Sequence, residues 1–177
     1  MLEEGTLLGY LEQPDKWANL LDLGADSLKA DYLPYKWENG FTADKSKLVG
    51  LGTDIGGLAM CYRSDLFKEA GLPTERDEVS KLWPDWNSYV AAGKQFKASP
   101  AGKNAAWIDT ASAVMQPYIM QNSQTWFYDT NNKYIAETNP VIKQAWDLGL
   151  GMAADGLTAK LTRWTPDWDA AFKNAAF

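Results

Sequence analysis

The stretch covering residues 48–73 constrains the fold of this chain most, because strand, turn and helix signals follow one another there without a gap. Leu48-Val49-Gly50-Leu51 is a short apolar run. Gly52-Thr53-Asp54-Ile55-Gly56-Gly57 is rich in glycine and small polar side chains, and Leu58-Ala59-Met60-Cys61-Tyr62 is apolar again, which predicts strand, turn and strand. Ser64 offers an N-cap and Asp65 suits the positive end of a helix dipole. Gly71-Leu72-Pro73 has the form of a left-handed stop, with an apolar contact and a breaker behind it. The segment therefore predicts a short helix whose two ends are both encoded.

Similar punctuation recurs downstream. Asp85 caps a predicted helix running from Trp86 through Tyr89, Val90, Gly93 and Phe96. Ala105-Ala106-Trp107-Ile108 predicts a short strand and Asp109-Thr110 a turn; residues 111–121 then predict a helix that tolerates Pro117 only near its start or with a kink. Residues 125–135 predict a hairpin around Asp129-Thr130-Asn131-Asn132-Lys133. Asn139-Pro140 starts the strongest helix, with an apolar stripe of Val141, Ile142, Ala145, Trp146, Gly149 and Met152 and a stop at Gly156. Thr165-Pro166 repeats the device, placing Trp168, Ala171, Phe172 and Ala175 on one face. Residues 1–25 carry a break at Gln13-Pro14-Asp15 and an apolar patch of Trp17, Leu20, Leu21 and Leu23, and residues 29–44 read as irregular.

Composition narrows the chemistry. With 177 residues and 46% hydrophobic content the chain can bury one substantial core or two small ones. A net charge of −6 with no basic cluster argues against a nucleic-acid surface. Histidine is absent, which removes the commonest general base and metal ligand, so neither a metal nor a cofactor is expected. Cys61 is the only cysteine and lies in an apolar run, where it is expected to be a buried small hydrophobe and not a reactive thiol. The apolar runs are far shorter than the roughly 20 residues of a membrane-spanning helix. Met1-Leu2-Glu3-Glu4 lacks the basic and apolar regions of an export signal.

The run Tyr62-Arg63-Ser64-Asp65-Leu66-Phe67-Lys68-Glu69-Ala70-Gly71-Leu72-Pro73 resembles a segment of the extracellular solute-binding proteins of family 1, the maltose-binding class that feeds sugars to ABC importers. Pro84-Asp85-Trp86 is similar to that family's capped Thr-Trp helix, with Asp85 in place of threonine, and Ala170-Ala171-Phe172 to its Ala-Ala-Phe segment. The resemblance covers most of residues 10–177. It implies a periplasmic-binding-protein-like α/β fold of type II, present in part: residues 1–55 as the end of the first lobe and the hinge approach, and residues 56–177 as most of a helix-rich second lobe with short strands. It also implies an exported protein, often a lipoprotein, at the cell surface or in the periplasm, with an oligosaccharide ligand, ABC permease subunits as partners and no enzymatic activity. A partial lobe would leave unpaired strand edges, so association with another copy or a complementary chain is expected.

Which side chains would meet a sugar? A pyranose face packs on aromatic rings while its hydroxyls reach polar neighbours, and the chain has nine tryptophans. Trp37, in an irregular loop, and Trp107, ending a strand, are the aromatic candidates. Thr53, Asp54, Asp109, Thr110 and Ser112 each follow a short apolar run and are the polar candidates. Both aspartates are equally readable as turn caps. Gly56-Gly57 and Ala111 stand where some family members place a glutamate or tyrosine, so no particular sugar is implied. Two other classes compete: a glycoside-acting enzyme using carboxylates such as Glu38 and Asp109, and a helical protein-interaction module resting on the capped amphipathic helices.

Overall fold

A computed structural model describes residues 4–122, 126–129 and 133–177. The chain forms two compact units, Met1–Gly57 and Leu58–Phe177.

The first unit holds α1 (Glu4–Leu11), three short 3₁₀ segments and α2 (Pro34–Glu38). Its core is small, with Ala25, Trp37 and Leu48 buried and Leu20, Leu21, Tyr32, Phe41 and Leu51 packed around them. Asn19 organises it: its side-chain oxygen accepts from the backbone N–H groups of Leu21 (3.3 Å) and Leu48 (3.1 Å). The strand expected over residues 48–51 shrinks to a single antiparallel bridge, Phe41 with Leu48. Glycines at 50, 52, 56 and 57 carry no side chain to pack, so nothing holds a longer ladder in register.

The second unit contains α3 (Ser64–Glu69), α4 (Arg76–Leu82), α5 (Trp86–Ala98), α6 (Met115–Asn122), α7 (Pro140–Ala154) and α8 (Pro166–Lys173). Three of these helices end alike. At the end of α3 the Leu72 N–H donates to the Phe67 carbonyl (2.8 Å) and Gly71 N–H to Lys68 (3.1 Å); after α7, Leu157 and Gly156 donate to Met152 (3.0 Å) and Ala153 (3.1 Å). These are Schellman stops around Gly71 and Gly156, both with positive φ, and Leu72 and Leu157 are buried behind them. After α8 the same pattern is built on Ala175 (φ 54°), a position that disfavours any side chain, and the Ala176 carbonyl then accepts from Ala106 N–H (2.8 Å). N-caps predicted at Asp85, Asn139 and Thr165 are present, each side chain accepting a first-turn N–H. Ser64 is not a cap: Arg63 occupies that position, and its guanidinium pairs with Asp65 instead. Residues 111–114 tighten into a 3₁₀ turn before α6, which puts Pro117 in the first turn of α6, where its missing N–H has no intrahelical partner to lose.

The expected strand over residues 58–62 is absent. These residues have no regular secondary structure and no backbone ladder among the described residues, and Leu58, Met60 and Cys61 are exposed, so the expectation of a buried Cys61 fails as well. Residues 105–108 do find a neighbour: Ile108 forms a parallel bridge with Thr158, and Trp107 N–H donates to the Leu157 carbonyl (2.9 Å). The hairpin is represented by the Tyr128–Tyr134 bridge, while Thr125 and the turn residues Thr130, Asn131 and Asn132 lie outside the described residues. The second unit is thus helix-rich, with isolated bridges in place of a sheet among the described residues. No described helix is long and apolar enough to cross a membrane.

Candidate functional site

The site is built from the segment that leaves the 107–109 bridge. Trp107 lies among four aromatic rings: stacked on Phe67 (5.5 Å, 13°) and angled against Trp83, Tyr89 and Phe96 at 5.2–5.7 Å. This packing depends on α5 presenting Gly93, because a Cβ there would stand 2.8 Å from the indole Cδ1 of Trp107. The Trp107 indole N–H is buried and has no hydrogen-bond partner among the described residues. A buried donor without a partner forfeits solvation free energy, a cost that the surrounding ring contacts offset.

Two residues on, Asp109 is buried and fully engaged. Its Oδ2 accepts from Arg163 Nε (2.6 Å) and Trp168 Nε1 (2.9 Å), and its Oδ1 from Arg163 Nη2 (3.2 Å) and its neighbour Thr110 N–H (2.8 Å). Burial alone would raise the Asp109 carboxyl; the hydrogen bonds from Arg163 and Trp168, the Arg163 charge and the Thr110 amide together outweigh it and hold the group below its ordinary value. Asp109 thereby ties the 161–168 segment to the end of the bridge, assisted by Leu161 N–H donating to the Asp109 carbonyl (3.2 Å). The Arg163 side chain remains 41% exposed.

Two open clefts in the second unit meet at this point. The first, of about 480 Å³, is lined by the 59–63 segment and by Tyr89, Trp107, Asp109, Arg163, Trp168 and Phe172, among others. The second, of about 390 Å³, includes Trp83, Trp86, Tyr89, Gln116, Gln121 and Arg163 in its lining. Both fall in the size range of small-molecule sites. Their charged side chains are paired within the protein: Arg63 with Asp65, Arg163 with Asp109, and Asp85 with the Ser88 amide. Burial, and after it the nearby Asp109 charge, push the Tyr89 hydroxyl well above its usual range, so it stays a neutral donor and acceptor. The lining offers aromatic faces, amide groups and a braced guanidinium to an incoming solute. No cluster of His, Cys, Asp and Glu in metal-holding geometry is present among the described residues.

Of the residues singled out in the sequence, Trp107 and Asp109 come together at the first cleft, Trp107 mainly as packing and Asp109 with its oxygens already occupied. Thr110, half-buried, and Ser112, exposed, line neither cleft. Trp37 is buried in the core of the first unit, and Thr53 and Asp54 are exposed in that unit. Arg163, Trp168 and Tyr89, which also line the first cleft, are not among the site candidates read from the sequence. A visible trace of the first two was an arginine set into the aromatic, helix-capping run Arg163-Trp164-Thr165-Pro166-Asp167-Trp168.

No protein-family model and no curated protein matches this chain. One solved structure, described as the crystal structure of an extracellular solute-binding protein family 1, is 41% identical and superposes with a TM-score of 0.79. The match covers 98% of this chain and 43% of that one, so the chain spans under half the length of its relative. Identity at that level along nearly the entire chain, with the fold retained, means that the chain belongs to extracellular solute-binding protein family 1.

Proposed function

We propose that the protein captures an uncharged oligosaccharide outside the cytoplasmic membrane and delivers it to the permease of an ABC importer, without transforming it. In this reading the fold is of the type II binding-protein class, the first unit belongs to the first lobe and the second unit supplies most of the second lobe. The observation that carries the reading beyond family membership is the composition of the clefts: aromatic faces beside charged groups already paired within the protein. An ionic solute would have to compete with those pairs, whereas a sugar needs only C–H contacts to rings and partners for its hydroxyls. Arg163 is assigned as hydroxyl donor and Asp109 as the residue that positions it, with Tyr89, Trp107 and Trp168 as apolar walls. Thr110 and Ser112 in the second unit, and Thr53, Asp54 and Trp37 in the first, remain separate candidates for solute contact.

The test is a titration of the purified protein with cellobiose, xylobiose and maltose, and with digalacturonate as a charged control, followed by tryptophan emission and calorimetry. Saturable binding of a neutral sugar and none of digalacturonate is expected. Silence from every neutral sugar, or binding of the acidic one alone, contradicts the proposal.

A further inference from the structure

Trp164 stands at odds with ordinary folding chemistry in two ways. Its backbone is in the left-handed region (φ 66°), which bulky residues rarely enter, and the residue is 83% exposed, the most of any large apolar residue in the described structure. Both features cost free energy, and glycine would relieve both. The conformation is imposed from both sides. Arg163 before it is fixed on Asp109; Thr165 after it donates its hydroxyl to the Thr162 carbonyl (2.8 Å) and accepts from the Trp168 N–H (3.3 Å) as the cap of α8. The indole so presented lies 4.9 Å from the ring of Trp168, which in turn sits 4.6 Å from Phe172. Trp168, Phe172 and Arg163 line the first cleft, and Trp164 extends their aromatic row beyond its edge.

We infer that Trp164 is a specificity-determining residue: a rim platform that stacks on the sugar ring protruding from the cleft, so that it contributes to longer oligosaccharides and little to short ones. The inference rests on the solute-capture reading. Backbone strain held by an over-determined turn at the edge of a binding cleft is where function, not stability, selects the conformation. An exposed indole gives a pyranose face a large rigid surface with little ordering on contact.

The experiment compares wild-type protein with Trp164→Ala, Trp164→Phe and Trp164→Gly by calorimetry against cellobiose and cellotetraose, xylobiose and xylotetraose, and maltose and maltotetraose, alongside thermal melting. In the series the wild type binds, Trp164→Ala is expected to weaken tetrasaccharide binding about three- to tenfold and disaccharide binding less than twofold. Trp164→Phe should keep most of the affinity, and Trp164→Gly should melt no lower than wild type. Equal affinities for the tetrasaccharide in wild type and Trp164→Ala would overturn the inference while leaving sugar capture intact. So would lower melting of both the alanine and glycine variants, which would make the ring a packing element. Absence of binding by the wild type to every probe would overturn sugar capture and this inference together.

Discussion

Residues 58–62 and 105–108 are both short apolar runs with the pattern of a buried strand, and the structure treats them in opposite ways. The later run is covered. Ala105 is buried, Trp107 is surrounded by rings from three elements or their flanks, and the backbone pairs with residues 157–159. The earlier run has no backbone ladder among the described residues and is exposed at Leu58 and Met60, and its residues line both clefts. An apolar pattern states a demand for cover; whether that demand is met depends on what the rest of the chain supplies. Residues 105–108 are met by α5, with Gly93 cut away to admit the indole, and by the buried Leu157 that follows the α7 stop. Of residues 58–62 only Tyr62 is met in this way, packing on Phe67, and no backbone ladder reaches the run among the described residues.

The contrast is broken most forcefully at Trp107. Trp107→Ala should destabilise the second unit by about 3–5 kcal/mol in denaturant unfolding, as expected for a large core aromatic. A loss under 1 kcal/mol would mean that the four-ring cluster is not the core. Asp109→Ala follows, at about 2–3 kcal/mol: less than a fully buried pair would lose, because Arg163 keeps 41% exposure and recovers solvation. The same carboxylate sets an acid limit. Its value in the folded protein lies below the ordinary 3.8, so its contribution is complete above that pH and is lost as pH falls through the folded value. Unfolding followed from pH 5 down to pH 2 should show this loss, and Asp109→Asn should flatten it. An equally steep acid decline in Asp109→Asn would assign the effect to other carboxylates.

Gly93→Ala comes next, at about 1–3 kcal/mol, since the added methyl must displace a packed indole and not a flexible chain end. Gly156→Ala should cost about 1–2 kcal/mol for a side chain in the left-handed stop of α7, where nothing else crowds it. The smallest effect is expected in the exposed run: Met60→Ala should move stability by less than about 0.5 kcal/mol. A loss comparable to that of Trp107→Ala would show that residues 58–62 are covered after all and erase the difference between the two runs.

What could be seen in the sequence divides along the same line. Helix ends were legible because their causes are local: Asp85, Asn139 and Thr165 each reach an N–H two or three residues away, and Gly71 and Gly156 answer to a sign of φ. Ser64 misled because the neighbouring Arg63–Asp65 pair fixes that turn from the other side. Strands were poorly legible because pairing depends on residues far away, as between Ile108 and Thr158. The candidate site was half legible. Trp107 and Asp109 follow a recognisable apolar run, but Arg163 and Trp168 reach Asp109 across 54 and 59 residues, and no local spacing encodes that meeting.

The central claim is that solute binds at the clefts where the 58–63 segment meets the Asp109–Arg163–Trp168 network. Amide hydrogen exchange with and without a saturating neutral sugar tests it most directly, because among the described residues no backbone hydrogen bond holds the amides of residues 58–62. Sugar should slow exchange in residues 58–63, 86–89 and 163–168 and leave α7 unchanged. Saturable sugar binding with no slowing in any of those three segments would contradict the account.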